Sequence, residues 1–304
     1  MYGLGADAAN ASALRRLYEV KRRPADHPVI VHVGTVEELD DWGHNVSADA
    51  RRLVEACWPG PLTVVVDRTP DVLDEVTGGQ ATVAVRMPDH PIALALLRAF
   101  GRGVAAPSAN RFGSVSPTTA DHVIADLGDD VDVVLDGGPC RVGVESTIVD
   151  CTHELPTVLR PGAISTQRIA SLTGSESTAV SARRTIVRVP GSLQSHYAPR
   201  ARVVMTDRED LVTTLDAIVA PGTRVGVLGS GDLAIAHDPA HDDVVRLEVP
   251  ADPDGYAAAL YRELRSADEQ ELDVVVAVLP APDGIGAAVI DRLERAAGAS
   301  EQQA

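Results

Sequence analysis

The 304-residue chain has one lysine, Lys21, among 27 basic residues, and only 3% of its residues are aromatic. Arginine therefore carries almost every positive charge, and any core must be built from Val, Leu, Ile and Ala. A planar guanidinium and a compact ammonium are not interchangeable. The lone lysine, in Lys21-Arg22-Arg23-Pro24, is thus either an accident of coding bias or a position that needs a point charge. The three cysteines, Cys57, Cys140 and Cys151, lack metal-ligand spacing, and an odd count speaks against a disulfide framework. They read as small buried hydrophobes. No apolar run approaches the roughly 20 residues of a bilayer span, and the first residues show no basic-then-apolar leader, so a cytoplasmic protein with no membrane partner is expected. Walker loop, zinc spacing, internal repeat and G-x-S-x-G elbow are all missing.

Acidic charge is what the chain has in excess. Its formal net charge of −17 argues against sequence-independent nucleic-acid binding by the whole surface, since such binding draws on phosphate neutralisation. The excess is uneven. Residues 201–304 hold 8 Arg against 20 Asp and Glu, whereas residues 1–30 hold 5 basic residues against 3 acidic. An anionic ligand is therefore expected to be small and to sit near Lys21.

Length predicts two domains. Val29–Val33, Leu62–Val66, Thr82–Arg86, Val131–Leu135 and Ser146–Asp150 read as β-branched strands. Val36–Trp42, Ala48–Cys57, Pro91–Phe100 and Thr119–Leu127 carry helical spacing between them. The alternation predicts an α/β fold, of mixed-sheet α+β type, over residues 1–167. From Arg168 regular patterning is lost until Pro199, which makes 168–200 a linker candidate. Beyond it, strands at Ala201–Met205, Thr223–Leu228, Val244–Val249 and Asp273–Ala277 alternate with helices at Asp210–Ile218, Gly255–Arg265 and Ala287–Ala297. Residues 201–304 thus read as a smaller Rossmann-like parallel α/β domain. Gly226–Gly231 follows a strand but lacks the dinucleotide order of glycines, so it reads as a turn.

Four segments are rich in anion- and hydroxyl-binding groups: Lys21-Arg22-Arg23-Pro24 with His27 and His32, Ala106-Pro107-Ser108-Ala109-Asn110, Val144-Glu145-Ser146-Thr147, and Leu159-Arg160-Pro161-Gly162. Each is read as a loop or a strand end, where α/β proteins place ligands. With Tyr2-Gly3-Leu4-Gly5, the K-x-R of Lys21 and Arg23, the S-x-N of Ser108 and Asn110, and the later His196-Tyr197-Ala198-Pro199, the chain resembles the YrdC-like family of L-threonylcarbamoyl-AMP synthases, in its long two-domain form.

The resemblance implies that L-threonine, bicarbonate and ATP, with Mg²⁺ carried by the triphosphate and no metal held by protein side chains, give threonylcarbamoyl-AMP and pyrophosphate. A downstream tRNA threonylcarbamoyl transferase complex would use that product. It implies Lys21 and Arg23 as catalytic cations. The nucleotide side would comprise Lys21, Arg23, His27, Thr82, Ala106, Ser116, Arg160 and Tyr197, and the threonine side His32, Arg86, Ser108 and Ser146, with Asn110 orienting the loop of Ser108. Taken singly, His32 also reads as a satisfied strand histidine and Arg86 as half of a rim salt bridge. His90, His122 and His153 read as surface residues, and Trp58-Pro59-Gly60-Pro61 as a structural turn. Tyr197 lies in the linker, which is expected to fold back over the site as a lid.

Members of the resembled family begin with a strand, a helix and a threonine-binding Pro-Thr-(Glu/Asp)-Thr run before Tyr-Gly-Leu-Gly. The first domain is therefore expected to lack its first strand and helix, and a chain genuinely starting at Met1 to fold poorly. Two other readings stay open at this level: a double-stranded RNA-binding module of the same fold without catalysis, favoured by the basic first 30 residues, and a carbamoyl-transfer domain of the hydrogenase-maturation type.

Overall fold

Alternating apolar positions in the strands of the first half face a helix-covered core, and the computed structural model describes this half and the second through residues 1–174, 187–191, 197–231, 233 and 243–301. The chain divides into two compact units. The first comprises Met1–Phe112, Thr119–Pro139 and the described residues of 145–192; the second takes Gly113–Thr118, Cys140–Val144 and the described residues after 192.

The elements of the first unit are β1 (Ala6–Asp7), α1 (Ala11–Lys21), β2 (Ile30–His32), α2 (Leu39–Trp42), β3 (Gly43–His44), α3 (Ala48–Cys57), β4 (Leu62–Arg68), α4 (Asp74–Thr77), β5 (Thr82–Arg86), α5 (Pro91–Phe100), β6 (Val104–Ala105), α6 (Ala120–Leu127), β7 (Thr147–Asp150), β8 (Thr157–Arg160) and α7 (Thr166–Thr173). They form one mixed sheet in the order β1-β6-β2-β5-β4-β7-β8, with β3 beside β4. β2 runs parallel to β5 and β4 to β7, while the other neighbours are antiparallel.

Because side chains alternate along a strand, the odd positions Val31, Val83 and Val85 enter the main core with Leu62, Val64 and Val66. Leu14, Leu17 and Tyr18 of α1 and Leu53 and Val54 of α3 cover that face. The opposite face carries Ile30, Val65, Ala84 and Ile148, over which Val187 and Val189 are packed. Polar residues interleave with this thin apolar layer.

α1 starts at Asn10, whose side chain accepts from the amides of Ser12 and Ala13, and ends where Arg22 turns into the left-handed region at φ 53°. Its buried stripe is Leu14, Leu17, Tyr18 and Lys21, so the lone lysine occupies a core-facing helical position. Basic residues around it obscure the helical spacing in the sequence, where the segment reads as a loop or strand end. Val131–Leu135, expected as a strand, forms none: Val133 and Leu135 are exposed, Val131 and Val134 lean on Ala109, Val123 and Leu127, and Asp132 pairs with Arg16 at 2.7 Å. The helix expected at Val36–Trp42 is confined to Leu39–Trp42. The stretch from Arg168, expected to be irregular, begins inside α7, which Ser165 caps.

The second unit contains β9 (Arg202–Thr206), α8 (Leu211–Ile218), β10 (Val225–Gly229), β11 (Val245–Glu248), α9 (Pro253–Glu269), β12 (Val274–Val278) and α10 (Gly286–Glu301). Its strands are all parallel, in the order β11-β10-β12-β9, as the alternation predicts. Leu211 and Leu215 of α8 pack on Val225, Val227, Val274, Val276 and Val278. Of Gly226–Gly231, expected as a turn, Gly226–Gly229 is part of β10, and Gly231 beyond it takes φ 69°.

Candidate active site

The even positions of β2 and β5 place charged groups on the thinly covered sheet face. His32 and Arg86 are register partners across these strands, and Thr82 lies four residues before Arg86 on the same face. Arg86 donates through Nε to the carbonyl of Gly60 at 3.0 Å, so the Trp58–Pro61 turn also serves the site. Burial, with a smaller contribution from Arg160, lowers the Arg86 guanidinium to about 10, against the pull of Asp89. His32 is pushed down to about 3 by burial and then by Arg86, which makes it a neutral imidazole near pH 7, and its buried Nδ1 has no hydrogen-bond partner.

Beside them a hydroxyl is held between sheet and loop. Ser146 Oγ lies 2.7 Å from Oγ1 of Thr63 and 3.1 Å from Nη2 of Arg160. Arg160, at the end of β8, also donates from Nε and Nη2 to the Ser146 carbonyl (3.2 and 2.9 Å) and from Nη1 to the Pro190 carbonyl at 2.8 Å. All three residues are buried. Gly162 explains the loop after β8: a Cβ there would lie 2.3 Å from the Thr147 nitrogen and 2.7 Å from the Glu145 oxygen. The result is a fixed hydroxyl held by Arg160, with a second guanidinium, Arg86, near enough for the two charges to repel, an arrangement that favours a small carboxylate or phosphate.

The end of α1 brings the K-x-R and S-x-N pairs together. Lys21, 1% exposed, donates to the carbonyls of Ser108 at 2.5 Å and Asn110 at 2.6 Å, while the Phe112 amide donates to the Lys21 carbonyl at 2.9 Å. One compact ammonium thus serves two carbonyls at the end of a buried stem, the point-charge role in which lysine differs from arginine. Burial first, then Arg23, lowers its ammonium to about 7. Arg23 donates to the Pro28 carbonyl at 2.7 Å and stands 5.8 Å over the Phe112 ring, which His27 meets edge-on at 5.5 Å. Burial and Arg23 also lower the His27 pKa. Tyr2–Leu4 lies along the same loop: Gly3 bridges Ser108, the Leu4 amide donates to Pro107 and the Ala109 amide to Tyr2. Ala106 is fixed by its amide on the Ile30 carbonyl at 3.0 Å. The side-chain amide of Asn110 donates to the Arg111 carbonyl at 2.7 Å.

Ser116 and Tyr197 belong to the second unit. Both are buried; Tyr197 takes a left-handed backbone at φ 63° and stacks on Tyr261 with centroids 5.7 Å apart, and Arg292 lies 5.3 Å from its ring. His196, of the same motif, lies outside the described residues. Of the histidines expected at the surface, His153 is exposed, whereas His90 is half-buried with Nε2 3.3 Å from the Gly137 carbonyl and His122 is half-buried. Cys151 is buried and the other two cysteines are half-buried. Sequence reasoning missed Thr63, which meets Ser146, and Tyr261 and Arg292, which meet Tyr197. For Thr63 a signal was present, since it is the one hydroxyl in the run Leu62–Val66 and its position is offset by one from the core-facing valines. Among the described residues no group of three His, Cys, Asp or Glu side chains could hold a metal ion.

Comparison with known proteins finds relatives across the whole chain. Residues 1–162 match the family described as Telomere recombination, and residues 164–298 that described as Threonylcarbamoyl-AMP synthase, C-terminal domain. The threonylcarbamoyl-AMP synthase of Bacillus subtilis is 39% identical over 98% of this chain and 87% of that protein. That of Pyrococcus abyssi is 37% identical over 98% of this chain and 88% of its own length. A crystal structure of the P. abyssi protein complexed with L-threonine matches with a TM-score of 0.89 at 37% identity, covering 98% of this chain and 88% of the other. A form of the P. abyssi protein with an adjacent His and Tyr both replaced by alanine matches at 0.87 and 36%, over 98% and 87%. With family matches across both halves and whole-chain relatives at this identity, the chain belongs to the threonylcarbamoyl-AMP synthase family in its two-domain form.

Proposed function

We propose that this chain forms threonylcarbamoyl-AMP from L-threonine, bicarbonate and ATP. The observation that carries the reading is the pair of mutually repelling cations Arg86 and Arg160, the first in register with a neutral His32 and the second on the fixed Ser146 hydroxyl. Arg86 takes the threonine carboxylate, and Ser146, His32 and Ser108 meet its amine and hydroxyl. The amine adds to bicarbonate with loss of water, and a carbamate oxygen then attacks the α-phosphorus. As that P–O bond forms, the bond to the β-phosphate oxygen breaks and pyrophosphate leaves. Lys21 and Arg23 supply fixed positive charge to the departing group, and Lys21 also holds the Ser108–Asn110 loop. His27, Thr82, Ala106, Ser116, Arg160 and Tyr197 complete the nucleotide side, with Asn110 orienting the loop. Mg²⁺ carried on the triphosphate oxygens would share in neutralising the charge of the departing pyrophosphate.

The domain limits 1–167, 168–200 and 201–304 belong to the same reading, with the linker closing the site as a lid. Val187 and Val189 on the sheet face and Pro190 on Arg160 support that role. Delivery of the adenylate to a tRNA-modifying transferase complex, a weak RNA contact and a cytoplasmic location are further parts of the proposal. Incubation with labelled bicarbonate, threonine and ATP tests it: label is expected in an adenylate containing threonine, and label remaining wholly in bicarbonate would refute it.

A further inference from the structure

The second unit contains an arrangement with no part in the scheme so far. Ala257, Tyr261 and Arg265 recur every four residues along α9, so they share one stripe of the helix. Each meets a segment drawn from outside the parallel α/β fold. Arg265 donates to the carbonyls of Val115 at 2.5 Å and Ser116 at 3.4 Å. Tyr261 is the ring on which Tyr197 stacks. Gly143, at φ 76°, lies so close to α9 that a Cβ there would be 2.1 Å from the Ala257 oxygen. The two contacted segments are also tied to each other, since the Ala198 amide donates to the Gly113 carbonyl at 3.0 Å and Ser114 forms a parallel bridge with Ala198. Arg292 of α10, 1% exposed and paired with Asp291 at 2.5 Å, stands 5.3 Å over the Tyr197 ring.

An arginine spanning two consecutive carbonyls fixes a loop's path, and a Tyr contacted by both a ring and a guanidinium fixes a left-handed residue that would otherwise be strained. We propose that Tyr261 and Arg265, with Arg292, are positioning residues through which the second domain sets Ser116 and Tyr197 for the nucleotide. The proposal rests on the synthase reading for the identity of the ligand. The threonine side does not depend on α9, because Ser146, Arg86 and His32 are held by β2, β4, β5 and β8. Loss of Arg265 therefore acts on ATP alone.

The test compares the full chain with R265M and R265K, measuring ATP and threonine binding by calorimetry, KM for each substrate by pyrophosphate release, and the urea midpoint. Arg265 is half-buried, so R265M keeps its aliphatic packing. R265M is expected to weaken ATP about tenfold, as for loss of a charge-assisted bond, with threonine affinity and the urea midpoint little changed and partial recovery in R265K. Y261L, which removes the stacking ring, is expected to act in the same direction. Unchanged ATP affinity in R265M, or ATP and threonine affinities falling together, would overturn the inference. If the unmodified chain releases no pyrophosphate yet binds ATP in an Arg265-dependent way, the synthase reading falls and the positioning role stands; if it binds no ATP, both fall.

Discussion

Lys21→Met separates a buried charge from the loop it holds, and the two effects oppose each other in stability. Methionine fills the space of the lysine stem but leaves the carbonyls of Ser108 and Asn110 without the ammonium that now serves them. Each unmet buried acceptor costs about 1–3 kcal/mol. Against this, the folded protein lowers the Lys21 pKa from 10.5 to about 7. Between those values the unfolded chain binds a proton that the folded chain does not, so the lysine protein gains stability as pH rises through this window. Each tenfold loss of proton affinity is worth about 1.36 kcal/mol, so confining the group costs about 4 kcal/mol at pH 7, and methionine does not carry that cost. The variant is thus expected to be near the stability of the parent at pH 7. By pH 9 the parent should have gained about 2 kcal/mol relative to it, somewhat under one proton over two pH steps. Urea unfolding of both proteins at pH 7, 8 and 9 measures the difference. Parallel pH dependences would refute the reasoning, because they would mean that Lys21 keeps an ordinary pKa in the fold. Turnover of the variant at pH 7 and below, where the parent's Lys21 carries charge, should fall about a hundredfold or more, the usual cost of losing one electrostatic donor, and the difference should narrow as pH rises and the parent's Lys21 loses its proton.

Thr63→Val removes the hydroxyl 2.7 Å from Ser146 Oγ; KM for threonine should rise about fivefold, the worth of one neutral hydrogen bond, with KM for ATP unchanged. Gly162→Ala forces a Cβ to within 2.3 Å of the Thr147 nitrogen, and a loss of about 3 kcal/mol is expected in urea unfolding. Val189→Asp puts a carboxylate against Ile30, Val65, Ala84 and Ile148; trypsin cleavage after Arg188 should accelerate about tenfold or more as the segment lifts, while the midpoint of global unfolding changes little.

Much of the fold was legible because long β-branched runs and helical spacing leave few alternatives: Thr82–Arg86, Ala48–Cys57 and Pro91–Phe100 have in the structure the limits expected from sequence. α1 escaped because Arg15, Arg16, Arg22 and Arg23 crowd its end and because a lysine on the buried stripe does not register as apolar. Val131–Leu135 misled for the opposite reason, its β propensity having no neighbouring strand to pair with. The ligand-binding chemistry of the segments was readable, but their internal wiring was not. That Lys21 sits on the carbonyls of Ser108 and Asn110 depends on backbone atoms 87 and 89 residues away, which composition does not encode. Likewise, nothing in Ser116 or Tyr197 announces that α9 holds them, because Tyr261 and Arg265 look like ordinary residues of an amphipathic helix.

The most direct measurement of the central claim is pyrophosphate release from ATP by this chain, with threonine and bicarbonate each omitted in turn. The account predicts release only when both are present. Release that ignores either omission, or no release from a folded protein supplied with all three, would contradict it.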